Sequence, residues 1–141
     1  MDVREQYLKT RIAGASPDEL LMMLLEGGER FIRKAILDLE KKNYEGVHNN
    51  IVKAQNIYLE LFSTLEQDAG DFVPHLQGLY YFQYDNLLEA DVKKDPVILG
   101  NCLKVAEKLT AMWREAVDKY HGETGVSDDG RKNIKSIDIK G

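Results

Sequence analysis

A single cysteine, Cys102, stands among 141 residues, so no internal disulfide can form and no thiolate cluster can hold a metal. That usage fits a reducing compartment. Only three histidines are present, which leaves few catalytic arrangements open. Positive charge is in deficit: 19 Lys and Arg face 24 Asp and Glu, for a net charge of −5 and a pI near 5.2. Such a surface does not track phosphate backbones, and nucleic acid is excluded as an expected partner. Long apolar runs are missing too. The longest, Leu20 to Leu25, has six residues, against roughly 20 needed to span a bilayer. The opening residues Met-Asp-Val-Arg-Glu-Gln contain no apolar core of a signal peptide. The expectation is a soluble, cytoplasmic chain that is neither secreted by a cleaved signal nor inserted in a membrane.

What is present is ordinary for one globular domain: 43% hydrophobic and 30% charged residues. A chain this long can bury roughly 70% of its unfolded surface. All three prolines accompany helix-start signals. Ser16-Pro17-Asp18-Glu19 reads as a capping box with proline at the first helical position. A helix should follow to about Lys42, with Leu21, Leu24, Leu25, Gly28, Phe31, Ile32, Ala35 and Leu39 at three- and four-residue steps. Asn43 caps a second helix whose Val47, Ile51, Ala54, Tyr58, Leu61 and Leu65 form a heptad seam ending near Gly70. Asp71 is the expected cap of a third helix carrying Leu76, Leu79, Tyr80, Tyr84 and Leu87, with Pro74 in its first turn. Asp95-Pro96 starts a fourth, with Leu99, Cys102, Val105, Leu109, Met112 and Ala116 on one seam and an end by Gly122.

No stretch alternates as a half-buried strand does. Four amphipathic helices joined by short loops predict an all-α fold, an antiparallel up-down-up-down four-helix bundle. The bundle domain is expected over residues 16–121, preceded by an N-terminal arm (1–15) and followed by a flexible, disordered tail (122–141).

Motifs for chemistry are weak. Glu45-x-x-His48 has di-iron spacing, but a working site needs that motif on two helices and facing glutamates on the others. The nearest second copy is Asp118-x-x-His121 at a helix end. His75-Leu-Gln-Gly78 faintly resembles a phosphotransfer pattern, with Gln77 where a charge-neutralising lysine would stand. Cys102 lies on a core seam, as a small hydrophobe does. Gly27-Gly28 inside a helix points to close helix–helix approach or to a partner packed on bare backbone. No metal, no cofactor and no catalytic residue is expected.

The informative feature is a surplus of apolar side chains. A bundle helix needs one apolar stripe. Leu20 to Leu25, which includes Leu21, Met22 and Leu25, is apolar around the whole helix. On the third helix Leu79-Tyr80-Tyr81-Phe82 and Tyr84 cover every direction. Val52, Leu59 and Phe62 form a second stripe on the second helix, and Leu103 and Val117 lie off the seam beside Trp113. The surplus could be covered by the chain's own ends, by a second copy in a homodimer, or by an amphipathic helix of another protein held through adaptable methionines and aromatics.

Taken in order, these residues resemble a known family. Tyr7, Ile12, Ala15-Ser16-Pro17-Asp18-Glu19-Leu20 and Leu21-x-Met23-Leu24-x-x-Gly27 lead to Phe31. Lys53-Ala54-Gln55-x-Ile57, Leu61, Leu76-x-x-Leu79-Tyr80, Leu88-x-Ala90 and Trp113-x-Glu115-Ala116 follow. The ordered set, over about residues 4–120, is similar to the flagellar secretion chaperone family FliS. It departs where Leu79-Tyr80-Tyr81-Phe82 replaces an acidic step and where Glu26-Gly27 stands for Asp/Asn-Gly.

The resemblance implies a non-enzymatic cytoplasmic chaperone that binds the disordered C-terminal segment of flagellin, prevents premature polymerisation and delivers it to the flagellar export apparatus. It also implies that the arm bearing Tyr7 and Ile12 sits near the binding groove. With the surplus apolar positions, the expected partner-binding residues are Tyr7, Ile12, Leu21, Met22, Leu25, Val52, Leu59, Phe62, Tyr81, Tyr84, Leu88 and Trp113. The alternatives are a phosphotransfer-type bundle and a structural homodimer.

Overall fold

The computed structural model describes residues 14–66 and 68–124. Tyr7, Ile12 and most of both expected ends lie outside the described residues. Four helices follow one another: α1 (Pro17–Glu40), α2 (Tyr44–Thr64), α3 (Phe72–Lys93) and α4 (Pro96–Thr124). No strand occurs among the described residues, and the fold is the all-α four-helix bundle expected. The chain divides into two compact units, Met1–Leu109 and Thr110–Gly141. That division falls inside α4.

Local chemistry sets the helix ends. The Ser16 hydroxyl accepts from the Glu19 N–H at 3.2 Å, and the Glu19 carboxylate accepts from the Ser16 N–H at 2.9 Å, which satisfies donors that the first turn leaves open. α1 closes with Lys42 in the left-handed region at φ 59°, while the Asn43 N–H donates back to the Asp38 carbonyl at 2.8 Å. The Asn43 side chain at once accepts from the Gly46 N–H at 3.1 Å and starts α2. One residue thus ends one helix and begins the next. The α3–α4 turn repeats the device: Lys94 is left-handed at φ 51°, and Asp95 Oδ1 accepts from the Val97 and Ile98 N–H groups.

Two expected boundaries are corrected. α2 stops at Thr64, six residues before Gly70, because Leu65 turns extended at ψ 126°. The Ser63 and Thr64 hydroxyls there donate back to the Glu60 and Leu61 carbonyls, the local competition that disfavours these residues inside helices. Asp71 precedes α3 but makes no side-chain cap bond.

The core of the first unit draws on all four helices. The α2 seam is buried as predicted from Val47 to Leu61, and Leu65 is half-buried. α4 buries Leu99, Cys102, Ala106 and Leu109, with Ala106 taking the inward position expected of Val105. Met112 and Ala116 are exposed, contrary to the seam, and in α3 Leu79 is exposed as well. In α1, Leu25, Gly28, Ile32 and Ala35 are buried while Leu21, Leu24, Phe31 and Leu39 are half-buried.

The glycine pair resolves to close helix approach. A Cβ on Gly28 would stand 2.9 Å from the Tyr58 hydroxyl, and one on Gly27 would stand 3.1 Å from Ile57 Cδ1. Bare backbone in α1 is what lets the buried Tyr58 of α2 lie across it. Burial holds the Tyr58 phenol far above its ordinary pKa, with the Gln83 amide pulling the other way. Gln83, fully buried, donates from Nε2 to the Cys102 carbonyl at 2.7 Å, and so ties α3 to α4.

Candidate partner-binding groove

Two side chains set the register between α2 and α3. Gln55 donates to the Tyr84 carbonyl at 3.3 Å, and His48 Nδ1 lies 2.5 Å from Asp91 Oδ2. The helices run antiparallel, so this register brings Leu59 level with Tyr80 and Tyr81, and Val52 level with Leu87 and Leu88. On α3, Tyr80, Leu87, Gln83 and Ala90 point inward. At 100° per residue, Tyr81 and Leu88 then fall together on the outward side.

Leu59, Tyr81 and Leu88 are 46%, 59% and 48% exposed. Val52, Phe62 and Tyr84 are half-buried and, by helical spacing, fall on the same sides of α2 and α3 as these three. Six of the expected contact residues therefore share one apolar strip along the α2–α3 seam. Val92, four residues beyond Leu88 and 76% exposed, extends the strip. Val92 is not among the expected contact residues, although its spacing from Tyr81 and Leu88 is a signal present in the sequence. Phe72, Leu79 and Phe82 are exposed on another side of α3.

The remaining expected residues lie elsewhere. Leu21 and Met22 are half-buried on α1. Leu25 is only 1% exposed and belongs to the core, so it offers a partner no surface; its place at the buried step before Gly28 and Ile32 explains the correction. Trp113, half-buried, belongs to the second unit.

Polar groups at one end of the strip hold the scaffold. Asp91 is nearly buried and accepts from Lys94 Nζ at 2.6 Å as well as facing His48. Burial alone would raise its carboxyl pKa, but the bonds from Lys94 and then His48 outweigh that, and the pKa lies below the ordinary value. The histidine of the Glu45-x-x-His48 motif is thus engaged by a carboxylate across a helix seam. Among the described residues no group of three or more His, Cys, Asp or Glu is placed to hold a metal, and no helix is long and apolar enough to cross a membrane.

Fold and surface together define a class, the antiparallel four-helix bundle that leaves an apolar strip open along two of its helices. Comparison with known proteins narrows it. The family model described as "Flagellar protein FliS" matches residues 1–120, and the chain belongs to that family. It is 29% identical over 125 residues to a flagellar secretion chaperone FliS of Bacillus subtilis (strain 168), covering 86% of this chain and 93% of the relative. It is 25% identical over 118 residues to one of Vibrio cholerae serotype O1, covering 83% and 87%. A Campylobacter jejuni relative of the same name is 28% identical over 110 residues, covering 77% and 86%.

Proposed function

We propose that this chain is a cytoplasmic, non-enzymatic export chaperone whose α2–α3 strip binds the disordered C-terminal segment of flagellin, keeps it from polymerising and presents it to the flagellar export apparatus. The observation that carries this reading is the row of Leu59, Tyr81 and Leu88, each about half exposed in a folded bundle of this family. An apolar row of that kind suits the apolar face of an amphipathic helix. A guest that folds on binding can cover a long strip and still be released, because its ordering opposes part of the contact free energy.

The test is titration of the full chain with a peptide from the C-terminal end of the cognate flagellin, followed by calorimetry and far-ultraviolet circular dichroism. One-to-one binding at micromolar concentration or tighter, with a gain of helix, is expected. Leu59→Lys, Tyr81→Glu and Leu88→Glu should each weaken binding about tenfold or more, since each removes on the order of 1–2 kcal/mol of apolar contact. Their exposure keeps the cost to folding to about 0.5 kcal/mol. Failure of the unaltered chain to bind would refute the function; normal binding by all three variants would refute the strip. Sedimentation of the chain alone across a concentration range tests whether a second copy covers the same strip.

A further inference from the structure

Three cations converge on one aromatic ring at the seam between α1 and α2. The Arg30 guanidinium carbon is 5.2 Å from the centre of the Phe31 ring, Lys53 Nζ is 5.5 Å away and Lys34 Nζ 5.6 Å. Arg30 and Lys34 are one turn apart on α1, and Lys53 reaches across from α2. All three are exposed, while Phe31 and Ile57 are half-buried between the helices. Ion pairs among the described residues join Arg33 to Glu29 and Glu107, Asp91 to His48 and Lys94, and Lys93 to Glu89. None includes these three cations.

Gathering around one centroid keeps each pair of charges within about one Debye length of the other, so they act on a ligand together. A ring face attracts a cation by about 0.5–1 kcal/mol at exposed sites, which helps hold the three like charges together against their screened repulsion. In a chain of net charge −5, this is a local reversal of sign. It lies on the α1 side of α2, whereas Leu59 and Val52 lie on the α3 side.

We infer that the α1–α2 seam around Phe31 is a second docking surface, which takes an acidic segment of another protein through paired carboxylates on either side of an apolar residue. The carboxylates would draw Arg30, Lys34 and Lys53 outward, and the apolar residue would rest on the half-buried Phe31 and Ile57. A long polyphosphate chain is disfavoured because only three cations answer it and the rest of the surface repels it. Glu60, exposed on α2 beyond Ile57, would set the guest's direction by its negative charge.

Nuclear magnetic resonance titration of the full chain tests this with two synthetic helical peptides of about four turns. One carries Glu pairs flanking Leu, and the other is identical with Gln for Glu. The Glu peptide should shift the amides of Gly27, Phe31 and Ile57, the Gln peptide should not, and binding should fall about tenfold between roughly 20 and 300 mM salt. In Arg30→Gln/Lys34→Gln/Lys53→Gln, whose altered positions are exposed, binding should weaken by about tenfold or more. Equal binding of both peptides, shifts confined to the α2–α3 strip, or no binding would overturn the inference. Self-association of the chain that the triple variant abolishes would also overturn it, by making a second copy the occupant.

Discussion

Gly28→Ala should destabilise the bundle, while the same change at Gly100 should stabilise it. Both glycines sit inside helices, where alanine is favoured by about 1 kcal/mol through backbone entropy. What differs is the space. At Gly100 an added Cβ meets nothing within 4 Å, so the gain of about 1 kcal/mol should appear almost undiminished. At Gly28 the Cβ meets the Tyr58 hydroxyl at 2.9 Å, its Cζ at 3.1 Å and its Cε2 at 3.4 Å. Tyr58 is only 1% exposed and has nowhere to swing, so α1 and α2 must part by several tenths of an ångström. Overpacking of that kind costs about 1–3 kcal/mol. Set against the propensity gain, the net loss is about 1 kcal/mol, and the two variants should differ by about 2 kcal/mol. Urea unfolding followed by circular dichroism should separate their midpoints by about 1 M. Gly78→Ala, also in open space, should move with Gly100→Ala. A Gly28→Ala midpoint at or above that of the unaltered chain would refute the close-approach reasoning.

Three further outcomes are expected. Burial pushes the Cys102 thiol up to about 12, so alkylation at mildly alkaline pH should be negligible in the native chain and rapid in denaturant; fast native labelling would contradict its burial. The Asp91 carboxyl is held below its ordinary value of 3.8, so its contribution to stability is complete above about pH 4 and is lost as the pH falls through its lower folded-state pKa. The urea midpoints of the unaltered chain and Asp91→Asn should accordingly converge on acidification. Lys42→Gly should raise stability by about 0.5–1 kcal/mol by relieving the left-handed backbone at φ 59°, whereas Lys94→Gly should not, since it also removes the 2.6 Å bond to Asp91; equal effects of the two changes on the thermal midpoint would refute the distinction.

The starts of α1, α2 and α4 were legible in the chain because capping is decided within four residues. Ser16 with Glu19, Asn43 with Gly46 and Asp95 with Val97 each complete their bonds locally. The α2 seam from Val47 to Leu61 was legible for the same reason, since its period involves one helix only. The six residues of the α2–α3 strip were named individually, but nothing in the sequence joined Val52, Leu59 and Phe62 to Tyr81, Tyr84 and Leu88.

That joining belongs to the tertiary structure. α3 is apolar in most directions, so its own pattern cannot choose an inward face; α2 and α4 choose it, through Gln55 on the Tyr84 carbonyl and Gln83 on the Cys102 carbonyl. The choice sends Gln83 into the core and leaves Leu79 outside. Likewise, Gly28 needs Tyr58 across the seam before its lack of a side chain has meaning, and Arg30, Lys34 and Lys53 become one charged site only when α1 and α2 are side by side. Hydrogen bonds within a turn reach four residues along the chain; which face is covered depends on neighbours tens of residues away.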